Sequence, residues 1–196
     1  MKFLKRYRIK RLTKKLKAMQ QNRIHNQPSD EVLAKEIAYY HELKEIYQNL
    51  VGNKKYPFAA DMVQACLRAA GALDDANAQY DLAKTLLDEA KFRERLQLEG
   101  LFASSSNERQ MKQLYEEAHI YLQNAEKLRH VLAKRLRGLC YINGWGVPAD
   151  KEKGFELVVA SIEQENSWDR VPQIFAAIGL NKPEFFAAIM KRRKTA

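Results

Sequence analysis

Apolar side chains recur at spacings of three and four along most of the chain, the period that places residues on one face of an α-helix. Ile9, Leu12, Leu16 and Met19 form the first stripe, with Phe3, Leu4 and Tyr7 extending it at its start. Ile37, Tyr40, Leu43, Tyr47 and Leu50 form the second. This second helix is predicted to begin at the Pro28, Ser29, Asp30, Glu31 run, where Ser29 can cap and the acids face the positive end of the dipole. It runs to about Leu50, and Gly52 with Asn53 ends it. Another helix is predicted over 58–70, with Met62, Ala65, Cys66 and Ala69 on one side and Gly71 at its end. Asp74 and Asp75 open the next, Ser104 to Asn107 is the clearest break, and helical pattern then continues over 108–141. Val171, Ile174, Phe175 and Ile178, then Phe185, Phe186, Ile189 and Met190, predict closing helices, with Pro172 and Pro183 near helix starts where a missing N–H costs little. Nothing reads as a strand, so the expected fold class is all-α.

Composition narrows the class further. With 196 residues, 46% of them hydrophobic, and only 8 Gly and 5 Pro, the chain can build one ordinary core, and disordered or collagen-like classes are excluded. No apolar run approaches the roughly 20 residues that span a bilayer. Two cysteines, Cys66 and Cys140, are too few for a disulfide framework and lack metal-ligand spacing, so a reducing, cytoplasmic setting is expected, with a place at the membrane periphery as the alternative.

Charge changes the picture more. The net charge of +10 is concentrated in residues 1–23, which hold ten Lys/Arg and no Asp or Glu. With the tail of Lys191, Arg192, Arg193 and Lys194 also set aside, residues 24–190 carry 20 basic against 24 acidic side chains. The chain is thus a mildly acidic body with a cationic arm at each end. The N-terminal arm lacks the uninterrupted apolar stretch of a secretory signal, and it lacks the serines usual in a mitochondrial transit segment. Lys5, Arg6, Arg8, Lys10, Arg11, Lys14, Lys15 and Lys17 are its electrostatic candidates. Three uses stay open: adhesion to phosphates on nucleic acid or an anionic membrane, docking on an acidic partner, or packing of the stripe on the body with the charges solvated.

The most informative stretch runs from Gly138 to Asp150, GLCYINGWGVPAD. Its glycines suit a helix C-terminus and a turn needing positive φ, and Pro148 with Asp150 sets up a following helix. Ala133, Gly138, Tyr141, Gly144, Gly146, Val147, Asp150 and Lys153 together resemble the Sel-one-like repeat family, helix-pair solenoids related to tetratricopeptide repeats. Departures from the family pattern are Arg137 in place of Leu, Gly154 in place of Ala, and Ser161 with Ile162 in place of an Ala pair. Ala118, Tyr121 and Ala125 fall where the preceding repeat should end. A weaker echo places Ala69, Ala70 and Gly71 at the end of one repeat and Ala78, Gln79, Tyr80 and Leu82 at the start of the next, with Ala83 and Leu86 at the family's Gly and Tyr positions. The 55 residues from Ala78 to Ala133 exceed one repeat of about 36, which implies an insertion of about 19 near 98–115.

The resemblance implies a short right-handed α-solenoid of antiparallel helix pairs with an N-terminal helical extension. Expected organisation is a basic arm over 1–27 and a single helical-repeat domain over 28–196. Within it, 28–57 is an N-terminal cap, 58–166 the repeat region, and 167–196 the closing helices and basic tail, since helix pairs bury their apolar faces only against neighbours.

Catalytic chemistry finds little footing. His25, His41, His119 and His130 share no metal-ligand spacing, Glu116–Glu117 and Asp74–Asp75 point to different helix faces, and neither cysteine sits in a reactive motif. No catalytic, cofactor-binding or metal-binding residue is assigned, no cofactor is called for, and no small-molecule substrate is expected. The aromatic run of Tyr40, Tyr47, Tyr56 and Phe58 reads as core. Trp145, at a position between two turn glycines where the repeat demands nothing bulky, is the leading candidate for partner contact, with Trp168 and Tyr141 beside it. The expected function is a non-enzymatic adaptor that binds another protein or multiprotein complex. The resemblance implies scaffolds in signalling or in bacterial envelope, virulence or secretion-linked assemblies. The alternative is a peripheral membrane- or RNA-binding protein that uses residues 1–23.

Overall fold

A computed structural model describes the backbone of residues 2–193 and the side chains of residues 5–191. Phe3 and Leu4 of the first stripe, and Arg192, Arg193 and Lys194 of the basic tail, have side chains outside the described residues. The order is α1 (Lys2–His25), α2 (Asp30–Gln48), α3 (Ala59–Gly71), α4 (Ala76–Leu98), α5 (Ser105–Lys127), α6 (Val131–Asn143), α7 (Lys151–Glu165), a 3-10 turn (Trp168–Arg170), α8 (Val171–Ala177) and α9 (Pro183–Arg193). Among the described residues there is no strand, and the protein is all-α with helices packed in pairs. Two compact units divide the chain inside α4, one ending at Thr85 and one starting at Leu86.

In the first unit the caps fall where the polar signals stand. Ser29 accepts a hydrogen bond from the Val32 N–H at 3.4 Å and starts α2. Asp75 accepts from the Asn77 N–H at 3.1 Å at the start of α4, and its carboxylate also meets His41 of α2. The α1 stripe lies on α2, with Leu12 and Leu16 buried and Ile9 and Met19 half-buried. On α2 the buried set is Glu36, Tyr40, Leu43 and Ile46. Ile37 and Tyr47 of the expected stripe are only half-buried, because α2 is covered on two sides, by α1 and by α3. Glu36, only 1% exposed, is tolerated because the Tyr40 hydroxyl lies at 3.5 Å and Arg23 of α1 at 3.7 Å. Two further expectations fail locally: Phe58 lies outside α3 and is exposed, and Ala65 faces solvent.

The second unit is built around two helix pairs. The C-terminal part of α4 is tied to α5 by Asn107, whose buried amide donates to the Arg93 carbonyl at 3.3 Å and to Gln97 Oε1 at 3.0 Å. Tyr115 of α5 donates its hydroxyl to Glu94 of α4 at 2.8 Å. Helical pattern over 108–141 is broken at 128–130, where Arg129 takes φ 64° and the imidazole of His130 accepts the Ala133 N–H at 3.0 Å. An imidazole in place of Ser, Asp or Gly is why the pattern alone shows no stop there.

Helices α6 and α7 cross closely and antiparallel. Gly138 is interior to α6, within the expected helical pattern, and Gly144 is the glycine that ends the helix. A Cβ on Gly138 would stand 2.6 Å from the Gly154 carbonyl oxygen, and one on Gly154 2.5 Å from the Gly138 oxygen. The close approach of the two backbones therefore requires glycine at both 138 and 154. Ser161 is likewise explained: its buried hydroxyl accepts from Arg135 Nε at 3.0 Å and donates to the Val158 carbonyl at 2.6 Å. Arg135 continues to Glu165 at 2.5 Å. Beyond this crossing, Phe155, Val158, Ile162, Ile174 and Phe175 form a buried cluster with Ile189 of α9.

Gly138→Ala should lower stability by about 1–3 kcal/mol, the usual cost of forcing a methyl into a packed crossing. A urea denaturation midpoint equal to that of the native chain would show that the helices do not meet this closely.

Candidate functional site

The site begins with the way α1 is mounted. Because Leu12 and Leu16 are held against α2, the positions on the opposite side of the helix must face outward. Arg6, Lys10, Lys14 and Lys17 are exposed and make no ion pair among the described residues. From position 6 to position 17 they span about 16 Å of helix axis. The remaining candidates border α2. Arg8 pairs with Glu42 at 2.5 Å, and Lys15 donates to the Tyr39 hydroxyl at 3.0 Å with its ammonium 4.7 Å from the ring centre. Lys15 holds the Tyr39 phenol below its ordinary range, first through that hydrogen bond. Two open clefts run along the seam. One, of about 400 Å³, is bordered by Lys5, Arg8, Glu42 and Glu45, and the other, of about 590 Å³, by Tyr7, Arg11, Lys15 and Tyr39. The seam is mixed in charge, and the exposed charges of the outer face are all cationic.

Trp145 is half-buried and stacked on Tyr115 of α5, with centroids 6.1 Å apart and planes within 3°. The Lys91 ammonium lies 3.9 Å from its ring centre. The cause is Gly146, whose φ of 72° and lack of a side chain let the turn sit directly on the Tyr115 backbone, where a Cβ would collide. Gly144, at φ 75°, caps α6, and Asp150 caps α7 by accepting from the Lys153 N–H at 2.9 Å. The loop after α6 is thus a structural clasp on α5.

Tyr141 is half-buried at the centre of a basic cluster. His119 of α5 meets it edge-on at 5.3 Å, the Lys153 ammonium lies 4.2 Å from its ring centre, and the Arg137 guanidinium lies at 5.7 Å. Hydrogen bonding from Lys153, then from Arg137, holds its phenol below the usual range. Arg137, the departure from the family's leucine, is ion-paired with Glu126 of α5. His119 is buried, and desolvation, followed by Arg137 and Lys153, pushes its imidazole down, so it is held neutral. Trp168 is half-buried beside Val171, Pro172, Phe186, Ile189 and Met190, which line an open groove of about 240 Å³.

Both thiols are buried, and burial pushes Cys66 up to about 11 and Cys140 to about 12, away from the range of a working nucleophile. Among the described residues, no group of three His, Cys, Asp or Glu side chains is placed to hold a metal ion, and no helix is long and apolar enough to cross a membrane. The cations of α1 are evident in the sequence, but which of them Glu42 and Tyr39 engage is not, because those partners lie more than twenty residues away. Comparison with protein-family models, curated proteins and solved structures finds no match.

His119 gives a signed pH dependence. Its folded-state pKa is lowered, so its contribution to stability is present above the usual histidine range and is lost as pH falls through the folded value. The urea midpoint of the native chain should drop between pH 7.5 and 5.5, and His119→Phe should flatten that drop. An identical slope in the variant would place the acid sensitivity elsewhere.

Proposed function

We propose that this chain is a non-enzymatic adaptor that attaches to a polyanionic surface through the outer face of α1 and uses its helical body to hold a partner in a larger assembly. The observation that carries the reading is the mounting of α1: an apolar stripe spent on α2, and four exposed cations, Arg6, Lys10, Lys14 and Lys17, with no acid among them on the far side. A cationic row fixed on a folded body loses little entropy when it meets a matching row of negative charge, and it also speeds encounter. Trp145 is already engaged by Tyr115 and Lys91, and Tyr141 by His119, Lys153 and Arg137, which moves the weight of the proposal from the aromatic loop to this helix. For the partner-holding part, the groove beside Trp168 is the better aromatic candidate, since its Met190 wall is exposed.

We further infer that α6 and α7 form one Sel-one-like repeat and that the body is a short right-handed solenoid. Three local features support this: the left-handed glycine cap at Gly144, the clasp through Gly146, and the compensation of each departure. Gly154 is matched by Gly138, Ser161 serves Arg135, and Arg137 is neutralised by Glu126. The family's use as a scaffold supports the adaptor reading in turn.

Charge reversal tests the reading. Native chain and the triple variant K10E/K14E/K17E should give the same helical circular dichroism, because all three side chains are exposed and unpaired. On immobilised heparin, a polyanionic surface, the variant should elute at markedly lower salt. Elution of both at one salt concentration would remove α1 as the docking element.

A further inference from the structure

The larger cleft on the α1–α2 seam, of about 590 Å³, is walled among the described residues by the first unit alone. Helical period sets its α1 wall: Tyr7, Arg11 and Lys15 stand four apart, in one row beside the buried Leu12 and Leu16. The α2 wall brings Tyr39, and Lys35 stands one turn before it on the same helix. Arg8 and Glu42 also line the cleft and are already joined as an ion pair at 2.5 Å. Arg11 and Lys15 are therefore positive charges beyond the one that Glu42 neutralises.

We propose that this cleft binds single-stranded nucleic acid, with bases stacked on Tyr7 and Tyr39 and phosphates met by Arg11, Lys15 and Lys35. The proposal rests on the reading of α1 as a polyanion-docking helix and names the polyanion.

The rings are the first argument. Leu12 and Leu16 carry the burial of α1, and Tyr7, 60% exposed, adds a ring that the core does not take in. At the other end of the row, Lys15 donates to the Tyr39 hydroxyl at 3.0 Å and stands 4.7 Å from its ring centre, so a cation and a ring are fixed together. From Tyr7 to Lys15 is about 12 Å of helix axis, with Arg11 between. Flat rings interleaved with cations match an unpaired strand, which offers a base face and a phosphate at every unit. Stacking is indifferent to base identity, so binding without strong sequence preference is expected.

Convergence of charge is the second. Lys15 holds the Tyr39 phenol below its ordinary range, and Lys35 and Arg11 add to that pull, so cations from both helices act at one place.

Shape is the third. The cleft lies within the range of about 300–1,000 Å³ usual for a site that takes a small unit such as a nucleotide, whereas a folded protein partner needs roughly 800 Å² of contact. A duplex keeps its bases stacked on one another and offers the rings no free face. A bilayer is met by an exposed apolar face, and here the apolar stripe of α1 is buried while the rings line a recess. A sulfated polysaccharide or an acidic peptide matches the cations and leaves the rings without a flat partner.

The test uses the full chain and a fluorescein-labelled oligothymidylate of about 16 nucleotides, the upper end of the usual site size of a single-strand-binding module, read by fluorescence anisotropy. An abasic strand of equal length keeps the phosphates and loses the rings, and should bind about tenfold more weakly or worse. Y7L/Y39L, its fold checked by circular dichroism, should lose a similar factor on the intact strand and elute from heparin like the native chain. Y7F/Y39F keeps both rings and should bind the strand like the native chain. Equal affinity for the abasic strand, or native-like binding by Y7L/Y39L, overturns the nucleic-acid assignment. Binding to phosphatidylserine vesicles without binding to oligothymidylate overturns it in favour of lipid, and retention on heparin with neither overturns it in favour of another polyanion. Early elution of K10E/K14E/K17E from heparin in any of these cases keeps the reading of α1, and only the cleft fails.

Discussion

The contact of Leu12 and Leu16 with α2 sets the direction of every charge on the N-terminal helix. A free amphipathic helix of this composition would offer its apolar stripe to whatever surface it met, and its cations would flank that stripe. Once the stripe is buried against α2, the helix has only its cationic side to offer, and that side is held in place by the body. The buried Glu36, satisfied by Tyr40 and Arg23, adds specificity to the same contact, because an undocked α1 would leave that carboxylate without Arg23. Docking thereby turns a membrane-seeking or partner-seeking helix into a rigid electrostatic face.

The second unit solves a different problem, that of bringing helices close enough to hold a tight loop. Gly138 and Gly154 remove the side chains that would separate α6 from α7, and Gly146 removes the one that would lift the loop off α5. Trp145 then finds its place on Tyr115 as a consequence. The aromatic residue that looked most available is a product of the glycines around it.

Much of the helical layout was legible from local signals: Ser29, Asp75, Ser104 and Asp150 cap the helices they precede, and Pro172 and Pro183 lie at helix starts. These signals act within one turn of the residue that gives them. What could not be read depends on partners far along the chain. The stop at Arg129 and His130 uses an imidazole cap that carries no strong local preference. The two-sided burial of α2 follows from α1 and α3 covering it together, which a single stripe does not reveal. The packing role of Gly138 was not legible because it is set by Gly154, sixteen positions later. Of the candidate site, the cations of α1 were legible by number and period, whereas the division between the seam and the outer face required the structure. Trp145 shows the limit most clearly, since its burial is decided by Tyr115 thirty residues earlier.

Backbone amide hydrogen exchange across α1 tests the central claim most directly. Docking of Leu12 and Leu16 predicts that amides over residues 9–19 exchange with protection comparable to those at the centre of α2, since both would open only when the unit opens. Exchange of that segment at the rate of an unprotected peptide, with α2 still protected, would mean that α1 is not mounted on the body and that its cations have no fixed direction.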